Sequence, residues 1–156
     1  GSLSSDNQRI LAAVGKLTDG LRNNNGTVDP LCGSEWTHNG LNCYYLSRYA
    51  RPWNYAKKHC EDKKAHLMVI NGLEEMNFLR NISQSQSLWF GLSTEKGIWK
   101  WVDSTSYERS PKFWKEGYPY PWYRHGEWCG LLEYGEGWRS LPCSQSYQYI
   151  CEKKTL

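Results

Sequence analysis

The sequence is poor in phenylalanine and methionine, and it has no long apolar run. It contains only 3 Phe and 2 Met, against 9 Trp and 11 Tyr, and rings that carry a polar atom can lie half-buried at a surface. No apolar stretch approaches the ~18 residues of a transmembrane helix, and we recognise no signal peptide. We therefore expect an ectodomain whose parent is secreted, or is anchored in a membrane by a segment outside these residues.

Sequence patterns of enzymes and of nucleic-acid-binding proteins are also absent. The chain has no HExxH, P-loop or GxSxG pattern. His125 lies close to Glu127, and Ser140 or Ser144 could be considered as a nucleophile, but no third residue is in place to orient a base. The net charge of +3, from 19 basic and 16 acidic residues, is far below the excess typical of nucleic-acid binding. We interpret the densest basic stretch, residues 48–66, as the solvated face of a helix and loop.

The cysteines indicate an oxidising compartment. They form an even set without the paired CxxC spacing of structural zinc sites, so disulfides are the better interpretation, although their pairing stays open at this point. Two sequons, at Asn25 and Asn81, predict N-glycosylation and agree with a secretory origin. The cysteines are Cys32, Cys43, Cys60, Cys129, Cys143 and Cys151.

Residues 1–30 differ in pattern from the rest and are predicted to be a stalk before a domain of residues 31–156. Apolar residues recur there at heptad spacing, with one polar position among them. The stalk is either a short coiled coil, which would make the chain a homo-oligomer, or an unstructured linker, because Gly15 and Gly20 weaken a helix. The heptad positions are Leu3, Asn7, Ile10, Val14, Leu17 and Leu21.

Periodicity and turn residues predict two helices early in the domain and short strands later. The first helix begins with Pro52 in its first turn and ends near Lys64. A short strand is predicted at the apolar run of residues 67–70, and apolar spacing predicts a second helix of about ten residues from Leu73. Short strands rich in Trp and Tyr follow Leu88, and we interpret residues 104–128, which lack a regular pattern, as a binding loop.

Two tryptophan motifs inside the six-cysteine frame resemble the C-type lectin-like domain family. They are Trp89-Phe90-Gly91-Leu92 and Trp99-Lys100-Trp101-Val102-Asp103, and the cysteine spacing is similar to the long-form domains of type II receptors of the asialoglycoprotein-receptor group. The resemblance covers Cys32 to Glu152. It implies an α+β fold with two helices, two small antiparallel sheets and a long loop region. It also implies three disulfides, Cys32–Cys43, Cys60–Cys151 and Cys129–Cys143.

The resemblance also points to the place where sugar-binding members hold their principal calcium ion. There the first ligand, a proline and the second ligand are matched by Tyr118-Pro119-Tyr120, so both ligands are replaced by aromatic residues. Glu127 matches one carboxylate, but the Trp-Asn-Asp motif reads Trp138-Arg139-Ser140. Calcium takes six to eight oxygen ligands, so we predict that no calcium binds at this site. We further predict that Arg139 pairs with Glu127 in place of the ion.

Two other calcium positions of the family are matched unequally. Pro121 and Trp128 occupy places where acidic groups would hold an auxiliary ion. By contrast, Glu74 and Glu152, with the carbonyl of Met68, match a structural calcium site of the asialoglycoprotein-receptor group, and they predict one structural calcium ion. The alternative is that Glu74 complements the dipole of the second helix and that Glu152 is a surface residue.

Together these observations predict a ligand-recognition ectodomain of a cell-surface receptor, type II and immune or endocytic. It would bind a protein or other ligand without the principal calcium, on the extracellular side of the plasma membrane. The alternatives are a divergent lectin that stacks its rings on sugars, and a secreted structural interaction domain; Trp122, Trp128 and Trp138 could also be mostly core. The predicted binding residues, of types enriched in hot spots, are Tyr118, Tyr120, Trp122, Tyr123, Arg124, Glu127, Trp128 and Arg139.

Overall fold

The structure, a computed structural model, describes residues 30–83, 85–119 and 126–156. Residues 1–29, which hold most of the predicted stalk and the sequon at Asn25, lie outside this part. Four predicted binding residues also lie outside it. These are Tyr120, Trp122, Tyr123 and Arg124. The chain divides into two compact units, Gly1–Cys43 with Lys154–Leu156, and Tyr44–Lys153.

The described part of the first unit brings the start of the predicted domain together with the carboxyl end of the chain. Strand β1 (Thr37–Asn39) lies before the start of β2 (Asn42–Leu46), and the turn uses Gly40 at φ +65°. The amide of Thr155 donates to the carbonyl of Leu41 at 2.9 Å. The disulfide between Cys32 and Cys43, with Cα atoms 5.5 Å apart, confirms the first predicted pairing.

The described part of the second unit contains two helices and the remaining strands. No helix or strand occurs between residues 102 and 127 where the structure describes that stretch, as predicted for the binding loop. Nor is any described helix long and apolar enough to cross a membrane. The elements are α1 (Trp53–Asp62), β3 (His66–Leu67), α2 (Leu73–Ser83), β4 (Leu88–Glu95), β5 (Ile98–Trp101), β6 (Trp128–Glu133), β7 (Gly137–Pro142) and β8 (Gln148–Lys154).

Both helices lie where the apolar spacing predicts them, with small differences at their ends. Pro52 has an extended backbone at φ −63° and ψ 156°, so it caps α1 rather than occupying its first turn. Helix α1 buries Trp53 and Cys60 on one face, and the indole Nε1 of Trp53 donates to the carbonyl of Phe90 at 2.8 Å. Helix α2 has 11 residues and buries Met76 and Leu79, which confirms the second predicted helix.

The sheet differs in one respect from the predicted arrangement. Its order is β2-β8-β4-β6-β7, while β3 pairs with β8 and β5 pairs with β4. Strand β4 runs parallel to β8 and joins the antiparallel parts into one mixed sheet, with Leu88 opposite Gln148 and Trp89 opposite Tyr149. The α+β class is confirmed, but the two small antiparallel sheets are parts of one sheet.

Gly91 explains why the first tryptophan motif contains a glycine. The Gly91 amide donates to the Met68 carbonyl at 2.8 Å, and its carbonyl accepts from the Val102 amide at 2.9 Å. A Cβ on Gly91 would lie 2.8 Å from the Leu67 carbonyl oxygen, closer than packed atoms tolerate. The apolar run at residues 67–70 is fully buried, but only Leu67 of that run is in a strand. The buried backbone groups of residues 68–70 must therefore find hydrogen-bond partners outside a regular strand pairing.

Trp138 lies at the centre of an aromatic cluster in the core. It is fully buried, and its ring centroid lies 4.9 Å from that of Phe90 and 5.8 Å from that of Trp101. Phe113 and Trp114, from the long loop, pack on it at 5.5 Å and 5.4 Å. This tryptophan of the Trp138-Arg139-Ser140 motif is therefore a packing residue that fixes the loop to β7.

The three disulfides are paired as predicted, and their loop lengths differ greatly. Cys60–Cys151 spans 91 residues and Cys32–Cys43 spans 11. Loop-closure entropy of the unfolded chain predicts contributions of about 4.6 and about 2.8 kcal/mol to the free energy of unfolding. Replacing Cys60 and Cys151 by alanine should therefore cost about 2 kcal/mol more than replacing the shorter pair, as measured by urea unfolding. Equal losses would contradict this ranking.

Candidate functional site

Two positions where the family resemblance implies calcium ligands are in direct contact. Arg139 lies on β7, and Tyr118 lies in the long loop before a cis peptide bond to Pro119. The Nε of Arg139 donates to the hydroxyl of Tyr118 at 3.0 Å. Its guanidinium carbon lies 5.4 Å from the centre of the Tyr118 ring. The long loop is thus fixed to β7 by side chains that carry no carboxylate.

The carboxylate partner of Arg139 is Glu133, so the predicted pairing with Glu127 is wrong. The Nη1 of Arg139 donates to Oε2 of Glu133. In the antiparallel β6–β7 pair Leu131 lies opposite Arg139, and Glu133 is two residues further along β6, on the same face. Diagonal neighbours of this kind lie within reach of long side chains. The spacing of Glu133 and Arg139 around the turn at Tyr134-Gly135 was the sequence signal that could have identified this pair.

Lys115 completes a network around Glu133. Its Nζ lies 2.8 Å from Oε1 of Glu133 and 3.1 Å from Oε1 of Glu136. Burial opposes ionisation of Glu133, but the hydrogen bonds from Lys115 and Arg139 outweigh it and lower the pKa of this carboxyl. Both oxygens of Glu133 therefore face cations at neutral pH. The sequence analysis missed Lys115 and Glu133.

Glu127 lies in a different environment from Arg139. It is exposed, and it lines a cavity of about 390 Å³ together with Thr94, Lys57 and Lys100. Lys100 pairs there with Glu95 at 2.8 Å. Glu127, which the resemblance matches to a calcium-binding carboxylate, thus lines the same cavity as Lys57 and Lys100.

The tryptophans of the site are buried to different degrees. Trp138 is fully buried, which confirms that it is core. Trp128 is half-buried, and its amide donates to Oγ1 of Thr94 at 3.0 Å. Of the predicted binding residues, the structure brings Tyr118 and Arg139 together, while Glu127 and Trp128 follow each other into β6. The binding roles of all eight residues stay predictions.

Glu152 is a buried carboxylate, so its alternative interpretation as a surface residue is wrong. It is 6% exposed. Its Oε1 accepts from the Val69 amide and its Oε2 from the Tyr44 hydroxyl, each at 3.0 Å. Burial raises the pKa of Glu152. The side chain thus binds a buried backbone amide of the 67–70 run and the end of a tyrosine from β2.

The residues around Glu152 do not fit a calcium ion as they are arranged. The Met68 carbonyl accepts the Gly91 amide, and Glu74 is exposed at the start of α2. Among the residues that the structure describes, no three His, Cys, Asp or Glu side chains are grouped so that they could hold a metal ion. Calcium takes six to eight oxygens. The predicted structural calcium at Met68, Glu74 and Glu152 therefore remains a prediction without support from this geometry.

Two substitutions of Glu152 separate the loss of its hydrogen bonds from the loss of its charge. Glu152→Ala should lower the free energy of unfolding by about 2–4 kcal/mol, because the Val69 amide and the Tyr44 hydroxyl would both be buried unpaired. Glu152→Gln keeps an acceptor and should stay within about 1 kcal/mol of the wild type at neutral pH. Equal losses in urea unfolding of the two variants would contradict the assigned contacts.

The raised pKa of Glu152 also determines how the stability difference between the wild type and Glu152→Gln changes with pH. Because the folded pKa of Glu152 lies above its ordinary value of 4.5, the folded state binds this proton more tightly than the unfolded state does. The stability that Glu152 contributes is therefore present below 4.5 and is lost as the pH rises through the raised value. The stability of the wild type relative to Glu152→Gln should fall as the pH rises from 4.5 to neutral.

Comparison with known families identifies the class of this fold. Residues 49–153 match the Lectin C-type domain family, and the chain belongs to this family. It is a binding domain rather than an enzyme. Both tryptophan motifs lie within the matched residues, as do the disulfides Cys60–Cys151 and Cys129–Cys143.

Individual relatives define the similarity further. The chain is 35% identical over 153 residues to C-type lectin domain family 10 member A of Mus musculus, covering 94% of this chain and 50% of the relative. It is 32% identical over 163 residues to asialoglycoprotein receptor 1 of Rattus norvegicus, covering 96% of this chain and 57% of that protein. The chain thus spans about half the length of these relatives.

Two solved structures are similar to this one. A calcium-independent type II antifreeze protein superposes with a TM-score of 0.72 at 28% identity, covering 81% of this chain and 96% of that protein. The Kupffer cell C-type lectin receptor Clec4f, described as trimeric, has a TM-score of 0.68 at 29% identity and covers 95% of both chains. The fold is therefore similar to that of a calcium-independent protein and to that of a lectin receptor.

Proposed function

We propose that this chain is the ligand-recognition domain of a cell-surface receptor and that it binds its ligand without calcium at the long loop. The observation that carries this proposal is the contact of Arg139 with Glu133 and Tyr118. Sugar-binding members use two of these positions, 118 and 139, for ligands of the ion. Here the same two positions are occupied by a cation and a ring that bind each other.

Electrostatics supports a site without calcium. A guanidinium beside the position of a divalent cation would repel it, and Glu133 is already bound by Lys115 and Arg139. Calcium would have to displace these cations while gaining few oxygens of its own. The contacts of Arg139 with Glu133 and Tyr118 therefore take the place of the ion in holding the long loop to strands β6 and β7.

A protein ligand is the first candidate. The long loop and its surroundings combine Tyr118, Trp128 and Arg139, which are of the types enriched in binding hot spots. The sequence of the loop also contains Tyr120, Trp122 and Tyr123. Glycan binding is the second candidate, because the relatives include an asialoglycoprotein receptor and a carbohydrate-recognition domain of a scavenger receptor. Such binding would use ring stacking rather than a metal ion.

The setting of the domain is also part of the proposal. We place it on the extracellular side of the plasma membrane, as an ectodomain of a type II receptor, because the similar proteins are named as receptors. Asn81 is exposed on α2, which suits N-glycosylation. The trimeric state named for Clec4f supports self-association of this chain through residues 1–30.

A glycan array run with calcium and again with chelator tests the proposed mode of binding. We expect no calcium-dependent signal, because the principal calcium ligands are replaced. Signals that appear equally under both conditions would support the second candidate. Binding that requires calcium and is competed by mannose or galactose would contradict the proposal.

Arg139→Gln tests whether Arg139 replaces the ion structurally. Because it removes the hydrogen bonds to Glu133 and Tyr118, it should lower the free energy of unfolding by about 1–2 kcal/mol. The control Arg109→Gln, at an exposed arginine of the same loop, should stay within about 0.5 kcal/mol. Similar losses for both variants would contradict the structural role.

A further inference from the structure

A continuous row of cationic and aromatic side chains runs along α1 and the residues that flank it. Tyr55 and His59 lie four residues apart in α1, the spacing of neighbours on a helix surface. Arg51 precedes the helix, and Lys63 is its C-cap. The guanidinium carbon of Arg51 lies 5.4 Å from the ring centres of both Tyr49 and Tyr55, and the rings of Tyr55 and His59 are 6.0 Å apart. We call these five residues the cation–aromatic row.

Two buried tyrosines, Tyr45 and Tyr149, contact Lys63 and His59 of the row. The Nζ of Lys63 lies 4.4 Å from the ring centre of Tyr45, and the ring of His59 meets that of Tyr149 edge-on at 5.7 Å. His59 Nδ1 is hydrogen-bonded to the Tyr149 hydroxyl. Burial raises the pKa of Tyr149 to about 12, so this hydroxyl keeps its proton at neutral pH. A partner would meet side chains that are already ordered, which reduces the entropic cost of binding.

The row lies in the segment that carries the positive charge of the chain. Residues 48–64 contain six basic and two acidic residues and so have a net charge of +4, whereas the whole chain has +3. The remaining residues together therefore have a net charge of −1. The two acidic residues of the segment pair with lysines outside the row, Glu61 with Lys57 at 3.1 Å and Asp62 with Lys58 at 3.4 Å.

We propose that the cation–aromatic row is a second binding surface, which takes an acidic segment of a partner protein. Tyr49 and Tyr55 are 67% and 51% exposed, although they are large apolar rings. Tyrosine and arginine dominate protein-binding hot spots, and arginine pairs with carboxylates in a bidentate geometry. The exposed rings favour a polypeptide over a sulfated glycan, because they offer apolar area that side chains can cover.

The contacts of Arg51 define the partner further. Its guanidinium carbon lies beside the rings of Tyr49 and Tyr55, 5.4 Å from each ring centre. The partner should therefore carry an acidic side chain that pairs with Arg51, with an apolar or aromatic residue close to it that lies on Tyr55.

Binding to three immobilised polymers tests this surface. The probes are a random copolymer of glutamate and tyrosine, polyglutamate, and heparin, measured by biolayer interferometry at physiological salt. We expect the chain to bind the copolymer more tightly than polyglutamate or heparin. Arg51→Gln and Tyr49→Ala should each weaken binding to the copolymer about tenfold. The matched control Lys58→Gln, which removes the same charge elsewhere on α1, should change it less than about twofold.

Several results would overturn the proposal. Absence of binding to the copolymer would do so, as would tighter binding to heparin, which would make the row a sulfated-glycan surface. An equal loss in Lys58→Gln would indicate unspecific attraction by charge alone. Tyr49 is the more exposed tyrosine, so its variant supplies a readout even if Arg51→Gln impairs folding. The row shares no residue with the site at Tyr118, Glu127, Trp128 and Arg139, so either proposal can fail without the other.

Discussion

The ion pair between Arg139 and Glu133 is the interaction on which the arrangement of the binding region depends. It joins neighbouring strands β6 and β7, and the same guanidinium donates to Tyr118 of the long loop. Trp138, the preceding residue, anchors Phe113 and Trp114 of that loop in the core. Two successive residues of β7 thus hold the long loop, one by buried packing and the other by polar contacts.

The frame of the domain was predictable from the sequence because its determinants are local patterns combined with a family resemblance. Apolar spacing placed both helices, and the resemblance gave the cysteine pairing. The parallel contact of β4 with β8 was not predicted, because pairing between distant strands leaves no local pattern in the sequence. Residues 67–70 were predicted to be a strand, but only Leu67 of them is in one. Met68 bonds instead to Gly91 and Ile150 in an irregular pattern, and an apolar run does not distinguish that pattern from a strand.

The binding region was predictable in its composition and less so in its contacts. The family resemblance predicts that the calcium ligands are replaced at positions 118, 120, 139 and 140, and this stays a prediction. The pairing of Arg139 depended on strand register, which places Glu133 rather than Glu127 on its face. Glu152 was identified as a carboxylate of interest, but its burial and its bonds to Val69 and Tyr44 required the tertiary structure. The contacts between cations and rings in the basic stretch, such as those of Arg51 with Tyr49 and Tyr55, likewise required the tertiary structure.

We propose that side chains of this chain replace calcium in holding the long loop. A crystal structure of the protein grown in millimolar calcium is the sharpest test of this proposal. Arg139 should remain bound to Glu133 and Tyr118, and no metal ion should lie at Glu127. A calcium ion coordinated by Glu127, with Arg139 turned away from Glu133, would contradict it.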